Sequence, residues 1–363
     1  MRIAFLLALA FLQDRVLEEG IDGRATLKLQ GGVPVLHMYG TPDEMGAQYG
    51  KLLKKGIHAA HQSVGKKFLA GADEKRLRGE TKGMAAAIPA HVAAEMKAAA
   101  RESGLPYEDW LLFNTMFDVE HGGKRLGGCC TAAASGGAGA EPILGRNFDL
   151  PQPFWGLVPL GVVVVRHPEK KTAWAAVTHP LFAGTHAGLN EKGLAVGATA
   201  GTPGLGYNPN GLSSMILFRL VLEEASTVAE AEKMLKDAKV TVATTLMVLD
   251  AKGGNLLAEC SPQKVVFRRP ENGTLHATNH FVSPELAQKV DCPRFRWLDE
   301  NFKGRRGIDE EVMKRSLVGT APPTNLQSMI FHPVRRSLLL SSGTVPAAKG
   351  PFVPLDAGAL FPK

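Results

Sequence analysis

The run Cys130-Thr131-Ala132-Ala133-Ala134-Ser135-Gly136-Gly137-Ala138-Gly139-Ala140-Glu141-Pro142-Ile143-Leu144-Gly145-Arg146-Asn147-Phe148-Asp149 decides how this chain of 363 residues is read. Two short apolar segments flank a glycine-rich loop at 135–140, the pattern of a β-hairpin. Arg146 and Asp149 follow Cys130 by 16 and 19 positions, so pairing the two segments sets a permanent cation and a carboxylate near one thiol. A thiol beside a guanidinium is shifted toward thiolate, the form that attacks carbonyls. The bland alternative is a small buried cysteine next to a structural ion pair.

Working outward, the N-terminal side opens with two strand-like runs, Ala25-Thr26-Leu27-Lys28-Leu29 and Val33-Pro34-Val35-Leu36-His37-Met38. A helix start follows at Thr41-Pro42-Asp43-Glu44, where Thr41 can cap, Glu44 can reach back and Pro42 takes the first helical position. Met45, Tyr49, Leu52 and Leu53 then fall on one face, which predicts a buried side. Further helices are expected over 80–103 and 108–117. On the C-terminal side, strands are expected at 143–148, 160–166, 172–178, 194–198, 244–250, 255–260, 264–268 and 275–278. Helices are expected at 213–224, 228–238, 284–301 and 310–317, before a hairpin-like segment at 327–342. Helices gathered between groups of antiparallel strands, without strict β-α alternation, argue for an α+β layered sandwich.

No internal repeat or low-complexity linker divides the chain, so one domain is expected. The net charge of +7 comes from short scattered groups such as Lys124-Arg125 and Arg305-Arg306. None is long or interleaved with aromatics, which excludes a nucleic-acid groove. The stretch from Ile3 to Leu12 after Met1-Arg2, with Ala8-Leu9-Ala10, reads as a short signal peptide over 1–12, too short to span a bilayer. Periplasmic or secreted location is the corresponding expectation, and cytoplasmic location the alternative. The four cysteines, Cys129, Cys130, Cys260 and Cys292, make no disulfide framework. Cys and His spacing matches no zinc site, so no metal is expected. The glycine-rich loop lacks the Lys-Ser/Thr of a phosphate loop, so no cofactor is expected either. Asn272-Gly273-Thr274 is a formal glycosylation site and reads as a turn.

If the bond before Cys130 is cut, Cys130 becomes an N-terminus whose own α-amine, with an ordinary pKa near 8, can serve as general base for its thiol. No catalytic histidine is then needed, and His280 has no required role. At this point the residues resemble a family. Gly40-Thr41-Pro42-Asp43-Glu44-Met45-Gly46-Ala47-Gln48-Tyr49-Gly50, Cys130-Thr131, Gly145-Arg146-Asn147-Phe148-Asp149, Leu189-Asn190-Glu191-Lys192-Gly193-Leu194 and Ala277-Thr278-Asn279-His280-Phe281 occur in the order found in the acyl-coenzyme A:6-aminopenicillanic acid acyltransferase family. That family belongs to the autoproteolytic cysteine-type N-terminal-nucleophile hydrolases, with choloylglycine hydrolase and penicillin V acylase as more distant relatives.

The resemblance implies a four-layer αββα sandwich made from both products of self-cleavage, a mostly helical segment 13–129 and a nucleophile-bearing segment 130–363. Cys130 would cut after Cys129 and then attack substrate amides. Arg146 would hold the thiolate or the substrate, and Asp149 would orient the new amine. Asn279 would donate to the oxyanion, a contact whose loss typically costs about 10²–10³ in rate. Arg294 or Arg296, in Asp291-Cys292-Pro293-Arg294-Phe295-Arg296, stands where relatives carry a site arginine. The residue before the nucleophile is usually Gly in the family. Cys129 is therefore a rival nucleophile, but alternation would turn Arg146 and Asp149 to the opposite face relative to it. Ala200 replaces an Asn of bile-salt-type relatives, which weakens a bile-salt reading.

The expected activity is hydrolysis or acyl transfer at a linear amide through a thioester. The substrate would be a small acyl amide, and an amine or acyl-coenzyme A would be the co-substrate. N-acyl amino acids, β-lactam side-chain amides and aminoacyl amines fit that description. Asn190 reads as a turn residue and Asn279 has a turn alternative. Two other functions remain open on sequence: a thiol hydrolase using Cys130 with a His base and no self-cleavage, and an exported binding protein on an inactive fold.

Overall fold

A computed structural model describes residues 15–19, 23–65, 74–121, 124–125, 130–137, 140–201, 204–287 and 289–362. The expected signal peptide and Cys129 lie outside them. Along the chain, β1 (Arg15–Glu19), β2 (Thr26–Gln30) and β3 (Val33–Gly40) lead into α1 (Pro42–Leu52) and α2 (Lys54–Ala60). Next come α3 (Glu74–Ala85), α4 (Ala90–Ser103), α5 (Tyr107–Thr115) and the two-residue strands β4 (Glu120–His121) and β5 (Lys124–Arg125). The hairpin follows as β6 (Thr131–Gly137) and β7 (Ala140–Asp149). Then β8 (Val162–Pro168), β9 (Trp174–Thr178), β10 (Ala187–Asn190) and β11 (Leu194–Ala200) precede α6 (Ser214–Glu224) and α7 (Val228–Lys236). The remainder contains β12 (Thr244–Asp250), β13 (Asn255–Cys260), β14 (Val265–Arg268), β15 (Thr274–Ala277), α8 (Pro293–Phe302), α9 (Glu310–Thr320), β16 (Asn325–His332), β17 (Ser337–Ser342) and β18 (Val353–Leu355).

Two sheets hold the site. One has ten strands in the order β1-β2-β3-β8-β9-β10-β11-β12-β13-β14, and the other has six, β15-β6-β7-β16-β17-β18. Strands from both sides of position 130 share the larger sheet, joined by the parallel pair β3–β8. Alternation along β6 and β7 sorts side chains between two cores. Ala132, Ala134 and Leu144 pack between the sheets with Met247, Leu249 and Phe331. Ala133 and Ile143 point the other way, onto Leu298 and Phe302 of α8 and Met313 and Leu317 of α9. The outer face of the larger sheet, through Trp174, Val196 and Val248, is covered by Phe218 and Val221 of α6 and Leu235 of α7. Helix, sheet, sheet and helix therefore stack as the αββα arrangement. The sheets approach closely at Gly197 of β11, where an added Cβ would meet Leu144 Cδ2 at 2.9 Å.

The capping box forms as read: Thr41 accepts from Glu44 N and Glu44 bonds back to the Thr41 backbone, with Met45, Tyr49, Leu52 and Leu53 all buried. Two expected helices are shorter than their pattern. The segment 80–103 divides at Pro89, whose ψ of 144° is extended, into α3 and α4. The expected helix over 284–301 begins only at Pro293, because proline at the first position leaves Cys292 extended (φ −115°, ψ 105°). Among the described residues no helix is long and apolar enough to cross a membrane.

Candidate active site

Cys130 stands immediately before β6, and the hairpin register pairs Thr131 with Asn147 and Ala132 with Arg146. That register sends the side chains of Cys130 and Arg146 into the space between the sheets. Arg146 Nη2 lies 3.6 Å from Cys130 Sγ, and Arg146 Nε donates to Ala198 O at 2.7 Å. Its guanidinium also stands 4.8 Å from the centre of the Phe148 ring, so three contacts fix it. Asp149 is three residues further on, and strand alternation alone cannot put both on one face. Asp149 is the last residue of β7, where β16 slips register between Asn325 and Gln327 and sets Asn325 opposite it, and its charge still reaches the thiol. Arg146 follows the alternation from Cys130, whereas Asp149, an odd number of positions further along, does not.

The electrostatics correct one sequence expectation. The thiol of Cys130 is pushed above its ordinary value, first by burial. Arg146 pulls it down, Asp149 pushes it up, and the pull does not prevail. Taking a thiolate out of water penalises it more than one guanidinium at this distance returns. Burial also lifts the Asp149 carboxyl to about 7, against the Asn325 hydrogen bond and the charges of Arg294 and Arg146. Asp149 Oδ1 accepts from Asn325 Nδ2 at 2.8 Å, while the equally buried Oδ2 has no hydrogen-bond partner among the described residues. An unpaired buried carboxylate oxygen is a vacancy for a donor.

Of the two candidate arginines, the fold brings in Arg294. From the first turn of α8 its Nη1 donates to Cys130 O at 2.8 Å and to Thr131 Oγ1 at 3.2 Å. Its Nη2 donates to Asn279 Oδ1 at 3.1 Å, which fixes the amide so that Nδ2 faces Ala200 O at 3.1 Å. Arg296, two residues on, is exposed and pairs with Asp291. Asn190 is buried in the β10–β11 turn, donating to Leu222 O and Ala225 O and accepting from Lys192 N and Leu194 N, which matches the turn reading. His280 bonds Thr278 Oγ1.

A narrow cleft of about 30 Å³ opens beside the thiol, walled by Cys130, Arg146, Phe148, His186 and Phe117. A second space of about 10 Å³ shares Arg146, Phe148 and His186 and reaches His179. A larger groove of about 560 Å³ at Arg268, His276 and Asp299 is lined by no cysteine. Among the described residues no histidine nitrogen hydrogen-bonds the thiol. His186 stacks on Phe148, and burial, helped by Arg146 and His179, holds it neutral. No group of three His, Cys, Asp or Glu side chains among those residues could hold a metal. Sequence reading missed Asn325, His179 and His186. Asn325 lies 176 positions from Asp149, and no local pattern marks such a pairing.

The model of the family described as acyl-coenzyme A:6-aminopenicillanic acid acyl-transferase matches residues 136–293. A protein of Archaeoglobus fulgidus described as uncharacterized is 26% identical over 301 residues, 73% of this chain and 48% of that protein, so the chain spans about half its length. Among solved structures, a Caenorhabditis elegans ortholog of N-acylethanolamine-hydrolyzing acid amidase is similar at 20% identity, covering 56% of this chain and 93% of that one with a TM-score of 0.47. A variant of conjugated bile acid hydrolase from Clostridium perfringens is similar at 13% identity, covering 63% and 93% with a TM-score of 0.48. Penicillin V acylase from Agrobacterium tumefaciens is similar at 14% identity, covering 59% and 83% with a TM-score of 0.41. Residues 136–293 are thus similar to the acyl-coenzyme A:6-aminopenicillanic acid acyl-transferase family.

Proposed function

We propose that the chain is the precursor of an N-terminal-cysteine amidohydrolase or acyltransferase that acts on linear, non-peptide C–N amide bonds. The observation that carries this reading is the buried Oδ2 of Asp149, which has no hydrogen-bond partner among the described residues, at the strand end that follows Arg146. A carboxylate oxygen kept dry and unpaired there fits an amine that exists only after the bond to Cys129 is broken. Cys130 Sγ attacks the carbonyl carbon of Cys129, the C–N bond breaks, and the nitrogen leaves as the protonated α-amine of Cys130. Water then hydrolyses the thioester and frees the thiol.

In the mature site the amine takes the thiol proton, and Asp149 stabilises the ammonium that results. The thiolate attacks the substrate carbonyl while Asn279, held by Arg294, donates to the oxyanion. The leaving amine takes the proton back, and the thioester on Cys130 passes to water or to an acceptor amine. Acyl-coenzyme A would load the same thiol by releasing its own thiol. Among the described residues no histidine bonds Cys130 to support the His-base alternative. The test is acid-quench mass spectrometry after mixing with an acyl amide. An acyl mass on the fragment beginning at Cys130 supports the reading, and turnover with an unmodified Cys130 sinks it.

A further inference from the structure

Asn325 has a role in this site that its side-chain bonds define. It is fully buried at the start of β16. Its Nδ2 donates to Asp149 Oδ1 at 2.8 Å and to the backbone carbonyl of Gln327 at 3.0 Å. Its Oδ1 accepts from the backbone N–H of Ala348 at 2.7 Å and bonds Ser328 Oγ at 3.1 Å. The two backbone partners settle which way the amide points. Flipping it would set an oxygen against the Gln327 carbonyl and an NH₂ against the Ala348 N–H. Asn325 therefore always presents a hydrogen to Oδ1 of Asp149 and never competes for Oδ2.

We propose that Asn325 is a positioning residue that clamps one oxygen of Asp149 so that the other is reserved for the α-amine of Cys130. The proposal rests on the reading of Cys130 as an N-terminal nucleophile, and it explains why the register of β16 slips where it does. The slip between Asn325 and Gln327 is what sets Asn325 opposite Asp149. The donated hydrogen also favours the ionised carboxylate, opposing burial. Asp149 is faced by Arg146 from its own strand, Cys130 from the chain entering β6, Arg294 from α8 and Asn325 from β16. Only Asn325 bonds the carboxylate directly among the hydrogen bonds of the described residues.

The Asn325–Asp149 contact is read without turnover in the uncut Cys130→Ala protein, by following the carboxyl carbon signal of Asp149, assigned through its loss in Asp149→Asn. Adding Asn325→Leu, which keeps the volume, is expected to move the Asp149 midpoint upward by about one pH unit. An unmoved midpoint overturns the proposal. Asn325→Ala serves as the second variant. With Asn325 left in place, its side-chain amide protons must shift with the same midpoint as Asp149, and an amide blind to that titration also overturns it. In the active chain, Asn325→Leu is expected to lower kcat more than it raises KM and to move the acid limb of the kcat/KM profile to higher pH. A general packing defect lowers the folded fraction and leaves that limb where it was. If wild-type protein proves uncut and inactive, the proposed function fails while the titration still reports on Asn325. If wild type is cut and Asn325→Leu matches it in both readouts, the proposed function stands and the positioning role fails.

Discussion

Asp149→Asn should make the uncut chain more stable at neutral pH while removing its function. In the folded chain burial holds the carboxyl at about 7, against an ordinary value of 3.8. The folded state therefore binds a proton that the unfolded state has already lost across that window, so stability falls as pH rises from about 4 to about 7 and is flat above. The gap of about three pH units corresponds to about 4 kcal/mol above pH 7, and about 1.6 kcal/mol of it has been lost by pH 5. An asparagine has no proton to lose and can still accept from Asn325 through its amide oxygen. The comparison is urea unfolding of Cys130→Ala with and without Asp149→Asn, at pH 5 and pH 8. Replacing Asp149 should add about 4 kcal/mol at pH 8 and about 2.5 kcal/mol less than that at pH 5. A variant that is less stable at pH 8, or a gap that ignores pH, would refute the reasoning that Asp149 is a carboxylate kept at a cost to stability.

The remaining expectations are shorter. Arg294→Ala removes the donors to Cys130 O, Thr131 Oγ1 and Asn279 Oδ1 and should lower kcat by at least about tenfold, whereas Arg296→Ala should stay within about twofold, read by amide turnover. Asn279→Ala should lower kcat by about 10²–10³ with little change in KM. Away from the site, Glu95 pairs with Arg166 at 2.9 Å and with Arg219 at 2.5 Å, all three side chains essentially buried. Glu95→Ala leaves two buried cations without that partner and should cost about 3–5 kcal/mol in denaturant unfolding. Gly46→Ala should also destabilise, by about 1–3 kcal/mol, because its Cβ would fall 2.1 Å from Glu95 O, a backbone atom that cannot swing away.

The parts of the fold that were legible in sequence are those encoded locally. The capping box at Thr41–Glu44, the β6–β7 hairpin and the strands 244–250 and 255–260 depend on neighbours within a few residues, and each was readable. Helix ends were less so where proline intervened: the run from 80 to 103 keeps a helical pattern across Pro89, and only the backbone geometry shows the break. Within the site, Arg146 was legible because it obeys strand alternation relative to Cys130. Asp149 was singled out by its spacing to Cys130, but its hydrogen-bond partner is supplied by β16 at a register shift. Asn325 was invisible for the same reason, since a pairing made across 176 residues leaves no local mark. The direction of the Cys130 shift was misread because sequence shows the nearby cation and not the degree of burial that outweighs it.

The measurement that bears most directly on the central claim is the intact mass of purified protein, taken beside a Cys130→Ala control. Two chains, the second beginning at Cys130, in the wild type and a single uncut chain in Cys130→Ala are the expected result. An uncut wild type that nevertheless turns over acyl amides would contradict it, since Cys130 would then have no amine for Asp149 to hold.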